Sequence, residues 1–200
     1  MRKPVGRRFA LSAALLGLAA SLMALEGTQA GFTATSSSGT STWTTGVVGL
    51  TVGAPGPANR LTVDATGVVP GDRIERAVDL TNGGTLDLAG ITLTTTASPS
   101  SALDTDTTNG LDLTVDRCSV PWTEAGTAPG YVYGCGGTTS SVLATRPVIA
   151  TGVALAGLTS TTVGSTDHLR VVLTLPAAAG DALQGLTSRL QFTVTGASAS

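Results

Sequence analysis

The chain has 200 residues, of which 12% are charged, and a calculated pI of about 5.2. It contains 34 threonines and 26 glycines but a single histidine, His168. This length fits one domain or two very small ones. One histidine excludes a multi-histidine metal site within the chain, and the acidic balance argues against nucleic acid as a partner. Threonine and glycine favour strands and turns over long helices, so we expect a small β-rich domain.

The first 30 residues have the pattern of a secretory signal peptide. They begin with a basic region that contains Arg2, Lys3, Arg7 and Arg8. An apolar run follows from Phe9 to Leu25, and small residues then predict cleavage between Ala30 and Gly31. An uncleaved membrane anchor is the alternative, since the run approaches the length of a spanning helix. After cleavage, 7 arginines and 12 acidic residues remain, a net charge of −5, and a membrane is expected as a partner only before cleavage.

Residues 31–45 form a separate segment in this interpretation. They are nearly all Thr, Ser and Gly, without charge or proline, and contain the aromatic residues Phe32 and Trp43. Such a segment has high β-propensity but cannot form a core alone. We expect it to add as a strand to a neighbouring subunit, with Phe32 and Trp43 as assembly candidates. A flexible Ser/Thr linker is the alternative.

Residues 46–200 are expected to form a single antiparallel β-sandwich or jelly roll. Short apolar runs cover residues 47–52 and 61–63, and a clear alternation follows from Arg73 to Leu80, which only Arg76 interrupts on the buried face. Alternation of period two indicates a half-buried strand. A change of parity at Gly90 indicates a β-bulge in the next strand.

Three further alternating runs follow along the chain, at residues 111–116, 169–175 and 186–194. The Ala-rich stretch from Pro176 to Gly185 is long enough for a turn or two of helix. About eight to ten closely spaced strands with no parallel β-α-β pattern predict the all-β architecture.

The two cysteines, Cys118 and Cys135, lie in the part expected to be exported. In an oxidising compartment they are expected to form a disulfide bond. The 16 residues between them have a loop composition rich in Gly and Pro. Closing such a loop stabilises the fold by about 3 kcal/mol. A pair of redox or metal-binding thiols is the alternative, which no neighbouring residue supports.

Motifs for catalysis are scarce, so we predict no catalytic residue, no metal ligand and no cofactor. His168 follows Asp167, but the chain has no G-x-S-x-G elbow for a nucleophile and no H-E-x-x-H zinc pair. The stretch Asp104–Gly110, with Asp106, is similar to a calcium loop but lacks a glutamate at its twelfth position. Aromatic residues that could form a carbohydrate or partner platform, or pack the core and the cysteine loop, are Trp43, Trp122, Tyr131 and Tyr133.

Six short strings are more specific than the composition: GTQAGF (27–32), WTTGVVGL (43–50), VPGDR (69–73), NGGTL (82–86), GLDLTVDRCSVPW (110–122) and DHLRVVLTLPAAAGDALQG (167–185). Together they resemble the TasA/camelysin family of exported bacterial surface and biofilm-matrix proteins. The last two look like its cysteine-containing actinobacterial branch. The resemblance implies a jelly-roll fold, processing by a dedicated signal peptidase and assembly into extracellular fibres. Camelysin-type members are classed as metalloendopeptidases, an activity for which this chain lacks a recognisable ligand cluster.

Two functions of different classes follow. The first is a secreted structural subunit of matrix or surface fibres, with itself or other matrix and cell-surface proteins as partners. The second is a secreted metalloendopeptidase of the camelysin type. A third reading is a surface β-domain that binds carbohydrate or protein.

Overall fold

The computed structural model describes the backbone of residues 32–35, and residues 49–53, 56–57, 59 and 63–199 in full. In chain order the described strands are β1 (Phe32–Thr35), β2 (Leu50–Val52), β3 (Val63–Thr66), β4 (Arg73–Asn82), β5 (Leu88–Ala97), β6 (Asp112–Cys118), β7 (Trp122–Ala125), β8 (Val132–Cys135), β9 (Thr139–Pro147), β10 (Ala150–Ala154), β11 (Thr166–Thr174) and β12 (Thr187–Ser198). Two short helical segments accompany them, α1 (Ala102–Thr105) and the 3-10 turn η1 (Asp181–Leu183).

Ten of the described strands form two antiparallel sheets that face each other, and β7 and β8 pair in a separate two-stranded sheet. In sheet I, β12 pairs with β5 on one side and with both β1 and β3, at different positions, on the other, and β10 continues beyond β5. In sheet II the order is β2-β4-β11-β6-β9. Successive strands from β3 to β6 and from β9 to β12 alternate between the sheets in this way. The orders β3-β12-β5-β10 and β4-β11-β6-β9 are those of an eight-stranded jelly roll, so the predicted fold class is confirmed.

The core lies between the two sheets and is built from alternate residues of each strand. In β4 the buried side chains include Val78 and Leu80, and in β11 they include Leu169, Val171 and Leu173. Neighbouring residues in a strand point to opposite faces, so the period-two pattern in the sequence identifies this buried face correctly.

Arg76, which interrupts the pattern, is also buried. Its Nη1 atom donates hydrogen bonds to the carbonyl oxygens of Glu75 and Pro129, and its guanidinium lies 5.3 Å from the centroid of the Tyr131 ring. The buried charge is therefore accommodated by backbone oxygens and an aromatic ring, and the strand continues through it.

The connections between the strands agree with the predictions in part. The register between β5 and β12 shifts beside Gly90, where the parity change predicts a bulge. The stretch 176–185 contains one 3-10 turn, η1, and no longer helix. The helix α1, which Ser101 and Asp104 begin with a capping box, is not among the predicted elements. Residues 119–134, whose composition predicts a loop, contain most of the paired strands β7 and β8.

Within the described part of the chain, no helix has the length and apolar character that crossing a membrane requires. The predicted signal peptide lies outside the described residues.

Candidate functional site

A disulfide-closed hairpin covers part of the outer face of sheet II. Its strands β7 and β8 pair antiparallel, and Cys135 of β8 is bonded to Cys118 at the end of β6. The buried side chains of Trp122 and Tyr133 pack with Ala77 and Cys118 in a second, smaller apolar cluster. The expected pairing of the two cysteines is therefore present, and it holds this cluster on the sheet.

Arg170 of β11 is the charged centre of the surface under the hairpin. Its Nη2 atom donates to Oδ2 of Asp116 at 2.8 Å, and its Nη1 atom lies 3.5 Å from Oε2 of Glu75. Nη1 also donates to the carbonyl oxygen of Tyr133, and the guanidinium lies 4.5 Å from the centroid of the Trp122 ring. The hairpin thus covers ion pairs and supplies two of their contacts.

The aromatic residues of the hairpin are occupied by these contacts. Trp122 and Tyr133 are 8% and 2% exposed, and Tyr131 lies beside the guanidinium of Arg76. Trp43, the fourth aromatic residue considered, lies outside the described residues. Of the two readings of these residues, packing of the cysteine loop is the one that Trp122 and Tyr133 fit.

The single histidine is bonded to a carboxylate across the strand pair. Nδ1 of His168 lies 2.6 Å from Oδ1 of Asp79, which is its direct neighbour in the register of β4 and β11. The adjacent Asp167 points to the opposite face, where it is buried. A histidine and a carboxylate form two parts of a catalytic triad. A nucleophilic hydroxyl bonded to the ring does not occur among the described contacts of His168.

The described residues do not fit a catalytic zinc site. Such a site requires three protein ligands around the metal. In the residues that the structure describes, no three or more His, Cys, Asp or Glu side chains lie together in a group that could hold a metal ion. Both cysteines are joined in the disulfide bond and are therefore not metal ligands. Among the described residues, the potential ligand bonded to His168 is the carboxylate of Asp79.

Asp167 is a buried structural carboxylate. It accepts hydrogen bonds from the backbone N–H of Ser160 and the hydroxyl of Thr159, and Arg117 lies 3.1 Å away. Burial opposes ionisation of this carboxyl group. The hydrogen bonds from Ser160 and Thr159 outweigh it, so the pKa of Asp167 is lower than its usual value.

The acidic stretch considered as a calcium loop is also bonded internally. Asp104 accepts hydrogen bonds from the hydroxyls of Ser100 and Ser188 and from the backbone N–H of Ser101. Oδ1 of Asp106 accepts hydrogen bonds from the backbone N–H groups of Thr108 and Asn109. Both carboxylates therefore stabilise the local fold: Asp104 is the N3 residue of the capping box of α1, and Asp106 forms an Asx turn.

The edge of β12 opposite β5 is completed by the N-terminal strand. Residues 193–196 pair antiparallel with β1, in a register that sets Phe32 opposite Gly196 and Thr35 opposite Thr193. Residues 187–190 of the same edge pair with β3. We name the stretch Thr193–Gly196 the β12 slot, because β1 is the one strand among the described residues that pairs with it on this side.

The β12 slot is closely packed at its Gly196 end. A Cβ atom at Gly196 would lie 2.8 Å from Cδ1 of Leu50 and 2.9 Å from Cδ1 of Leu88. These contacts are shorter than carbon atoms adopt, so a larger residue would displace both leucines. Glycine at this position therefore lets two side chains of the core approach the backbone of the slot.

The predicted site residues divide into those that the structure describes and those that it does not. Cys118 and Cys135 are joined, and Phe32 lies in β1, where only its backbone is described. Ala30, Gly31 and Trp43 lie outside the described residues, and their assigned roles remain predictions. The β12 slot was not found from the sequence, because alternation identifies a strand but not its neighbours.

The fold and this slot define a class: an antiparallel jelly roll with a disulfide-closed hairpin and one sheet completed by its own first strand. The family model for camelysin metallo-endopeptidase matches residues 3–118, more than half of the chain, including β1 to β6. The chain belongs to this family, as the sequence strings indicate. No curated protein matches the chain.

Proposed function

We propose that the protein is a secreted structural subunit of extracellular matrix or surface fibres, and that the N-terminal segment of one subunit enters the β12 slot of the next. The observation that carries this proposal is the slot itself, an edge of sheet I that a four-residue strand from the N-terminal end completes. A strand that pairs only at an edge makes the same backbone hydrogen bonds in its own subunit or in a neighbour.

The length of the connection supports exchange between subunits. Thirteen residues separate Thr35 from Gly49 in the sequence. Fully extended, they reach about 45 Å, which is comparable to the diameter of roughly 40 Å expected for a domain of this size. The segment is therefore long enough to reach the slot of an adjacent subunit, and head-to-tail addition of this kind gives filaments.

Signal cleavage supplies a trigger in this proposal. Cleavage after Ala30 would free the segment 31–45 outside the cell, where neighbouring subunits are present. The segment begins one residue before β1, so β1 would become the N-terminal strand of the secreted chain.

A chain that starts at Gly31 should form fibres or ladders of oligomers. One that starts at Gly46 should stay monomeric with its core folded. A synthetic peptide of residues 31–45 should bind to the shorter chain, because it restores the missing strand.

The substitution Ala34→Pro tests the pairing more finely. Ala34 lies opposite Val194, and proline removes its backbone N–H and disfavours an interior strand position. The matched control is Ser38→Pro, which places the same residue beyond the end of β1. Assembly should be lost with Ala34→Pro and retained with Ser38→Pro. Identical sedimentation of the chains from Gly31 and Gly46, across concentration and mildly acidic pH, rejects the strand exchange.

The second candidate is a metalloendopeptidase, which the family description favours. The donor set of the described residues does not support it. We expect purified protein not to cleave casein in a chelator-sensitive manner. Chelator-sensitive cleavage that disappears in His168→Ala would overturn this expectation and favour the enzyme.

A further inference from the structure

The outer face of sheet I carries a regular array of small polar side chains. It consists of alternate residues of β5 and β12, and we name it the threonine face: Thr92, Thr94, Thr96, Gln191, Thr193 and Thr195. The residues between them, such as Leu93 and Phe192, are buried in the core. The register sets Thr92 opposite Thr195, Thr94 opposite Thr193 and Thr96 opposite Gln191.

Charge is nearly absent from this sheet. Its five strands contain two charged residues, Asp64 in β3 and Arg189 in β12, whose Oδ1 and Nε atoms are 2.6 Å apart. The part of the chain after the predicted cleavage site carries a net charge of −5. Two copies therefore repel each other in most orientations, but not when these neutral faces meet.

Two of the hydroxyl groups are already engaged within the sheet. Oγ1 of Thr92 donates to the carbonyl oxygen of Thr195 at 3.4 Å, and Oγ1 of Thr94 accepts the backbone N–H of Gly152 at 3.0 Å. A polar group that keeps its hydrogen bond costs less to remove from water than one that loses it. The face is thus polar in composition, but a second protein surface can cover it without breaking these two hydrogen bonds.

Resting on the fibre proposed above, we propose that the threonine face packs against the same face of a second copy and joins fibres side by side. The face is continuous with the proposed fibre junction, because β1 pairs with β12 in the same sheet. Antiparallel sheets with the same twist pack face to face at about 10 Å. The occupant is a second copy rather than a charged partner, because the two charged residues of sheet I, Asp64 and Arg189, pair with each other and leave the sheet without net charge.

The size of the face determines when this contact is effective. Two strands and five residues along each give an area of roughly 150 Å² per copy, about a fifth of the roughly 800 Å² per partner in a standard stable interface. Two isolated subunits should therefore not form a stable dimer through it. Copies repeated along a fibre make many such contacts together, and multivalency strengthens their association.

The experiment uses particles that each carry many copies of the chain from Gly31, attached through the C-terminus. Thr96 and Gln191 lie outside the β12 slot, so a change in clustering on their substitution reports on the threonine face and not on strand exchange. Wild-type particles should cluster, and the variant Thr96→Arg/Gln191→Arg should reduce clustering about tenfold or more, because like charges then face each other. Salt should not weaken wild-type clustering, since it screens the repulsion between acidic bodies.

A matched control exists on sheet II, where the hydroxyls of Thr114 and Thr145 lie 3.1 Å apart on neighbouring strands. The variant Thr114→Arg/Thr145→Arg adds the same charge to the other sheet and should cluster as the wild type does. Mixing Thr96→Arg/Gln191→Arg particles with Thr96→Glu/Gln191→Glu particles should restore clustering, which an unfolded variant would not do.

The outcomes separate the two proposals. One outcome is that fibres of the variant Thr96→Arg/Gln191→Arg associate side by side as wild-type fibres do, and that particles of the variant and of the wild type cluster equally. This outcome overturns the lateral contact and leaves the fibre proposal intact. Clustering particles without fibres reject the strand exchange alone. Retention of wild-type particles on insoluble polysaccharide, without clustering, would assign the face to that ligand and overturn the second copy.

Discussion

Sheets I and II follow one jelly-roll pattern, but they differ in charge and in what covers them. Sheet II carries ten charged residues in its strands, several of them under the disulfide-closed hairpin, whereas sheet I carries two. Several of the charged groups on sheet II are paired within the chain, around Arg170 and between Arg117 and Asp167. The two sheets therefore differ in their proposed roles: the disulfide-closed hairpin of the same chain covers part of sheet II, and sheet I has the edge and the face that we propose accept another chain.

The largest effect is expected at Arg170. The substitution Arg170→Met removes the ion-pair partner of Asp116, whose side chain is 18% exposed, and one of the two arginines beside Glu75, which keeps its contact with Arg73. Leaving a buried charge without its partner costs about 3–5 kcal/mol. The free energy of unfolding, measured by urea denaturation, should fall by that amount. A loss below about 1 kcal/mol would mean that the ion pairs under the hairpin do not stabilise sheet II.

The disulfide bond should have the next largest effect. Replacing both Cys118 and Cys135 with alanine should lower the free energy of unfolding by about 3 kcal/mol, because the unfolded chain is no longer constrained. Non-reducing intact mass should show the wild type two hydrogens lighter than its reduced form. Val132→Ala is the matched control, since this exposed residue lies on the same hairpin. Free thiols in native protein would contradict the bond.

Acid should destabilise the fold through its bonded carboxylates. The pKa of Asp167 and that of Asp104 are both below the ordinary value of 3.8. A lowered pKa in the folded state gives stability that is complete above the unfolded pKa and is lost as pH falls through the folded pKa. The free energy of unfolding should therefore decline below pH 3.8. In Asp167→Asn this decline should be shallower. An unchanged slope would mean that the ionisation of Asp167 does not contribute to the acid sensitivity of the fold.

The smallest effect is expected at the ion pair of sheet I. Arg189 and Asp64 have side chains that are 56% and 51% exposed. Solvent screens an exposed ion pair, so it contributes little to stability. Arg189→Met should therefore change the free energy of unfolding by less than Arg170→Met does, in the same denaturation experiment. If the two substitutions lowered the free energy of unfolding equally, the ion pairs of sheet II would not be more stabilising than the pair of sheet I.

Much of the jelly roll could be predicted, because alternation is a local property. The runs at β4, β6, β11 and β12 are visible in the sequence, and so is the bulge at Gly90. The strands β7, β8, β9 and β10 were not identified. The strands β7, β8 and β10 are only four or five residues long, and β9 buries the adjacent residues Val142 and Leu143 instead of alternate ones, so none of them shows a sustained period of two. The interruption at Arg76 was visible, but its contacts with Pro129 and Tyr131 depend on a hairpin 50 residues away in the chain.

The candidate site shows the same division. The sequence determined the disulfide pairing, since Cys118 and Cys135 are the only thiols, and it determined the low charge of the strands of sheet I. Only the tertiary structure decided that His168 meets Asp79 across the sheet rather than Asp167 beside it, and that β1 completes the edge of β12. The physical reason is that adjacent residues in a strand point to opposite faces, while strand neighbours are chosen by packing between distant segments. Local sequence records the first property and not the second.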